Sequence, residues 1–143
     1  MQVFIDADGC PVTNIALEIC KKQGVACTLV CDTAHEFYRE GARTLVVDKG
    51  ADSADFALVN RISAVDIVVT QDYGLASMCL AKKAVVIHQD GWLYTPLNID
   101  ALLLQRHESK KYRNAGGRLK GPHKRQAAQD EAFRQAFQKL FQG

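Results

Sequence analysis

Short apolar runs alternate with stretches whose apolar residues recur every three or four positions, and this alternation organises the first two thirds of the chain. Val3-Phe4-Ile5 is a compact run with β-branched character and predicts a buried strand. Pro11 suits the first turn of a helix, and Gly24, following Lys21-Lys22, suits its end. Residues 25–31 and 44–47 read as the next two strands. Residues 52–62 carry Phe56, Val59 and Ile62 at helical spacing, with carboxylates in the first turn where the helix dipole favours them. Ile67-Val68-Val69 is again strand-like, residues 74–81 predict a short helix, and residues 84–87 a further strand. Strands separated by helical stretches imply parallel crossovers, hence an α/β chain folded as a three-layer α/β/α sandwich with a mainly parallel sheet.

After Pro96 the pattern is helical only. Ile99, Leu102, Leu103 and Arg106 begin one helix, expected to end near Tyr112. A glycine-rich, basic loop follows at residues 113–125 and lacks apolar periodicity. The last helix, at about residues 126–142, sets Phe133, Phe137, Leu140 and Phe141 on one stripe that should pack on the sheet. No internal repeat or low-complexity tract interrupts the pattern, so residues 1–143 are read as a single domain with C-terminal helices.

Composition narrows the class without assigning a task. At 143 residues, with 48% hydrophobic and 24% charged positions, the chain matches a globular protein and not a disordered or fibrous one. No apolar run reaches the roughly 18 residues of a membrane span, and Asp6 interrupts the region where a signal peptide needs its apolar stretch. Five cysteines without a CxxC pair read as reduced thiols, which implies a cytoplasmic protein. Charge is distributed unevenly: from Gln105 onward ten Lys/Arg face three acids, whereas the preceding residues hold eight basic and thirteen acidic side chains. An acidic body with a basic tail points to an anionic partner held near bound cations, although such a tail is equally a solvated face.

The acids are the richest chemical signal. Parallel sheets bind ligands outside the carboxyl ends of their strands. Asp6 and Asp8 follow the first strand and share a side if the chain stays extended, and Asp72 follows the strand at 67–70. Asp52 and Asp55 are three apart at a helix start and share a face. Carboxylates that meet repel unless a cation joins them, and hard ions such as Mg²⁺ or Mn²⁺ prefer oxygen donors. Taken singly, Asp52 or Asp55 could be a helix cap and Asp72 a turn residue. Asp6 is hardest to explain structurally, because directly after Phe4-Ile5 it would be buried without an evident base. Asp66 precedes its strand and belongs to the opposite end, and Asp48 is a more distant candidate. The histidines at 35, 88, 107 and 123 show no zinc spacing. Cys10, beside the acids and a helix start, is expected to have a lowered pKa. In the basic loop, Gly116 and Gly117 let backbone N–H groups approach an anion, while Arg113, Arg118 and Lys120 supply charge for phosphate or a nucleic-acid backbone.

Four motifs in order carry a resemblance that covers essentially the whole chain. They are Phe4-Ile5-Asp6-Ala7-Asp8-Gly9-Cys10-Pro11-Val12, Gly50-Ala51-Asp52-Ser53-Ala54-Asp55, Val69-Thr70-Gln71-Asp72-Tyr73-Gly74-Leu75-Ala76 and Gly116-Gly117-Arg118-Leu119-Lys120-Gly121-Pro122. Together they resemble the YaiI/YqxD family of bacterial proteins of undetermined activity. The first three are also similar to the acidic motifs of PIN-like nuclease domains. That resemblance implies catalytic roles for Asp6, Asp55 and Asp72, with Asp8 and Asp52 as neighbouring ligands of one or two Mg²⁺ or Mn²⁺ ions that activate water to cleave RNA or another phosphodiester. Two features depart from it: the acid that many PIN domains carry between the first two motifs has no clear counterpart, and the Gly-Gly-Arg-Leu-Lys-Gly-Pro loop has no PIN equivalent.

Two other readings compete. A non-catalytic binder of RNA or a nucleotide would need the basic loop but not a complete metal set. Asp6-Ala7-Asp8-Gly9 also resembles the first motif of haloacid-dehalogenase-type phosphatases, with Asp6 as nucleophile and Thr70 as the strand-end hydroxyl. Against the phosphatase, the helix expected from Pro11 leaves little room for a flap, and the acidic pair at 52 and 55 precedes Thr70 instead of following it.

Overall fold

The structure, a computed structural model, describes residues 1–34, 36, 38–48, 53–116 and 124–142. Five strands, β1 (Val3–Asp6), β2 (Cys27–Asp32), β3 (Arg43–Val47), β4 (Ile67–Val69) and β5 (Val85–Ile87), form one parallel sheet in the order β3-β2-β1-β4-β5. Its helices are α1 (Thr13–Gln23), α2 (Ser53–Arg61), α3 (Tyr73–Ala81), α4 (Pro96–Asn114) and α5 (Ala127–Lys139).

The period-2 rule divides the strands between two cores. Val3, Ile5, Cys27, Leu29, Cys31, Ile67, Val69 and Ile87 point to one face, where they meet α1 through Val12, Ala16 and Ile19 and α5 through Phe133 and Phe137. Phe4, Val30, Val68 and Val86 point to the other, against Leu58 and Ile62, Leu75 and Cys79, and Ile99. Helices therefore cover both faces, completing the α/β/α sandwich, and strands buried on both sides explain the apolar runs that lack alternation. The aromatic stripe of α5 packs as expected, with Phe133 and Phe137 fully buried and their rings 5.2 Å apart. Gly91 makes that docking possible, because a Cβ there would stand 2.6 Å from the Ala132 carbonyl oxygen of α5.

Several boundaries and contacts differ from the sequence expectation. The first helix begins at Thr13 rather than Pro11, because the Cys10 N–H turns back onto the Ala7 carbonyl. It ends as expected at Gly24, in the left-handed conformation with φ 66°. The described part of the β2–β3 connection contains no helix; instead the Asp32 carboxylate accepts the Ala34 N–H and the Thr33 N–H donates to Val47. Phe56 is not a core residue. The buried positions of α2 are Leu58 and, just past its end, Ile62, which leaves Phe56 59% exposed. Asp66 lies at the amino end of the sheet, where its buried carboxylate accepts the Gln2 and Ser63 N–H groups.

Candidate active site

The chain runs outward from β1 to β2 and β3, then returns to β4 on the other side of β1. This reversal opens a crevice at the carboxyl ends of β1 and β4. Asp6 is the last residue of β1, and Thr70 follows β4 directly.

Thr70 ties the two strand ends together. It is buried; its hydroxyl donates to Asp6 Oδ2 at 2.9 Å, and its Oγ1 accepts the Asp72 N–H at 3.0 Å. Its carbonyl accepts the Tyr94 phenol at 3.1 Å. Asp72 caps α3 from an extended conformation, with Oδ1 accepting the N–H groups of Gly74 and Leu75. That cap fixes the side chain and neutralises part of its charge at the helix N-terminus. Arg106, one turn beyond Leu102 on α4, brings Nη1 to 3.5 Å from the same Asp72 oxygen.

Burial pushes the Asp6 carboxyl up to about 6, against the Thr70 hydrogen bond, and the charges of Asp55, Asp72 and Asp8 raise it further. Asp6, Asp8, Asp55 and Asp72 thus act on one region from the end of β1, the turn after it, the first turn of α2 and the cap of α3. Asp52 lies outside the described residues. Among the described residues, no three of His, Cys, Asp and Glu stand close enough to form one ion's protein shell. The donor chemistry nevertheless suits Mg²⁺ or Mn²⁺: all the acids are hard oxygen donors, and Mg²⁺ usually keeps several waters beside one or two carboxylates.

The neighbouring groups have other roles. Burial pushes the Cys10 thiol up, contrary to the expected lowering, so this cysteine is not poised as a thiolate. Burial pushes His88 down despite Asp90; its Nδ1 accepts the Asp90 N–H at 3.0 Å, which fits a neutral ring stacked 4.3 Å from Trp92. Arg125, counted with the basic loop, is a structural clamp: it donates to Asp90, Asp130 and the Gln89 carbonyl at 2.6–2.7 Å. Arg113 and Gly116 are exposed at the end of α4, with the Gly116 N–H donating to the Arg113 carbonyl. Gly117, Arg118 and Lys120 lie outside the described residues.

Thr70 as the link between two acids, and Arg106 as the cation beside Asp72, were not assigned these roles from sequence. The available signal for Arg106 was a charged residue continuing the Ile99–Leu102–Leu103 stripe.

Comparison with known proteins adds a family. Residues 4–143 match the family described as "Uncharacterized BCR, YaiI/YqxD family". A UPF0178 protein of Exiguobacterium sibiricum is 50% identical over 140 residues, covering 98% of this chain and 96% of the relative. One from Clostridium acetobutylicum is 44% identical over 142 residues, again covering 98% and 96%. A UPF0178 protein of Bacillus cereus is 41% identical over 143 residues, covering 98% of both. No solved structure matches the chain.

Proposed function

The chain belongs to the YaiI/YqxD family, and from that premise we propose that it is a divalent-metal-dependent nuclease that hydrolyses RNA or another phosphodiester in the β1–β4 crevice. One observation carries this reading: Thr70 ties Asp6 at the end of β1 to Asp72 at the start of α3 in one crevice, where burial first, and then the charges of Asp55, Asp72 and Asp8, push the Asp6 carboxyl up to about 6. A fold gains no stability from such crowding, whereas a cation site requires it.

Asp6, Asp55 and Asp72 would hold Mg²⁺ or Mn²⁺, with Asp8 and Asp52 as further ligands or orienters. The bound ion supplies an activated water and neutralises charge on the phosphate. The protein's own residues do the positioning. Thr70 fixes one oxygen of Asp6 through its hydroxyl, and the α3 cap fixes Oδ1 of Asp72 while leaving Oδ2 for a ligand. Arg106 stands where a guanidinium can take a phosphate oxygen in place of Asp72. Arg113, Gly116, Gly117, Arg118 and Lys120 form the proposed clamp on the nucleic-acid backbone, a sequence-independent contact.

The non-catalytic RNA- or nucleotide-binding alternative is favoured by the commitment of Asp72 Oδ1 to the α3 cap and by the lack of a closed metal shell among the described residues. An end-labelled RNA incubated with the protein in Mn²⁺, Mg²⁺ or EDTA separates the two. Cleavage in metal that is lost in EDTA and in Asp6→Asn and Asp55→Asn supports the nuclease. RNA retention without cleavage, unchanged in those variants, supports the binder.

A further inference from the structure

A second cavity begins at the other, amino, end of the sheet. Phe4, Thr28 and Arg43 occupy one cross-strand row of β1, β2 and β3, with neighbours roughly 4.8 Å apart. Phe4 belongs to the core on the α2 side, and Thr28, two residues before Val30, and Arg43, two before Leu45, share that face by the period-2 rule. Helix α2 covers the carboxyl half of this face through Leu58 and ends at Arg61. The amino half stays open as a cavity of about 340 Å³ lined by the apolar Phe4 and Leu45, the polar Gln2 and Thr28, and the exposed Arg43 and Arg61.

Neither guanidinium has a hydrogen-bond or ion-pair partner among the described residues. Two arginines lining one small cavity, without a partner among the described residues, offer planar donors that match a phosphate. Leu45 and Arg61 also line a more open hollow of about 490 Å³ that runs along the edge strand β3 to Asp48 at its carboxyl end and includes Phe56. Phe56, left out of the core by the packing of α2, offers an exposed ring there. Aromatic faces stack nucleobases, and a carboxylate such as Asp48 accepts from exocyclic amino or ribose hydroxyl groups. The cavity is also within the usual size range of small-molecule sites.

We propose that this face binds a nucleoside 5′-phosphate, with the phosphate between Arg43 and Arg61 and the base along Leu45 and Phe56. The site is independent of the carboxylate crevice and does not rest on the nuclease reading. Calorimetric titration in EDTA, with AMP and with inorganic phosphate as probes, tests it on the full chain. The double variant Arg43→Ala/Arg61→Ala should lose AMP affinity at least tenfold, and Arg43→Lys/Arg61→Lys should recover part of it. Phe56→Ala should weaken AMP several-fold and leave phosphate binding unchanged. Asp6→Asn should bind AMP as the wild type does. The substituted side chains at 43, 56 and 61 are exposed, so thermal melts should confirm intact folds.

No saturable AMP binding by the wild type, equal binding by the double alanine variant, or loss of binding in Asp6→Asn would each overturn the proposal. AMP and phosphate binding with equal affinity, both indifferent to Phe56→Ala, would overturn its nucleoside part. Displacement of AMP by a 5′-phosphorylated pentanucleotide would identify the ligand as a strand end, and failure to displace it would identify the free nucleotide. Either outcome supports the site.

Discussion

Asp6 holds its proton more firmly in the folded chain than in the unfolded one, where the carboxyl titrates near 3.8. A raised carboxyl contributes stability that is full below about pH 4 and is lost as pH rises through about 6. In metal-free buffer, Asp6→Asn should therefore melt above the wild type at pH 8, with the gap closing toward pH 4. Asparagine can still accept the Thr70 hydroxyl, so the difference reports charge and not a broken contact. A wild type that melts higher than the variant at pH 8 would contradict the crowding of Asp6. Asp72 offers the complementary test, because asparagine caps helices as well as aspartate does. Asp72→Asn should keep the α3 cap and the melting temperature, whereas Asp72→Ala should lose about 1 kcal/mol. Both substitutions should abolish metal-dependent cleavage. Loss of cleavage in the alanine variant only would reduce Asp72 to a cap.

At the scale of elements, α5 is held by two devices. Phe133 and Phe137 fill the α1-side core, and Arg125 clamps the helix start to the turn at residues 89–90. Phe133→Ala should cost about 3–5 kcal/mol in chemical denaturation. Arg125→Ala strands Asp90 and Asp130 without their cation and should cost about 2 kcal/mol, with faster hydrogen exchange at the N-terminal turn of α5. A near-neutral Arg125→Ala would return this residue to the pool of free basic charge. The elements also show where sequence is readable. The apolar runs of β1, β4 and β5 and the α5 stripe were legible because burial on both faces demands them. Phe56 was misread because a short helix with apolar residues at 56, 58, 59 and 62 admits more than one stripe, and only the packed sheet selects Leu58 and Ile62. The course of the described residues between β2 and β3 was also illegible, since the Thr33 N–H finds the Val47 carbonyl only once the sheet has formed, beside local turns at Asp32–Ala34 and Arg39–Ala42.

Across the whole molecule, the strand order concentrates chemistry at one end of the sheet. Asp6 was legible as a site candidate because it directly follows an apolar run, and Asp72 because it lies three residues past one, and the open-sheet rule gives these positions meaning. Arg106 was not, because its meeting with Asp72 depends on how α4 packs beside α3. The uneven charge distribution sets a further expectation. RNA affinity should fall steeply with salt, and Arg118→Ala/Lys120→Ala should lower both the affinity and the salt slope. Unchanged binding in that double variant would remove the clamp from the mechanism.

Calorimetric titration of Mn²⁺ into the wild type, Asp6→Asn and Asp72→Asn at pH 7.5 addresses the carboxylate centre directly and needs no knowledge of the substrate. Saturable binding to the wild type, lost in both folded variants, is the expected result. Wild-type heats no larger than those of the two variants would contradict a metal centre between β1 and β4.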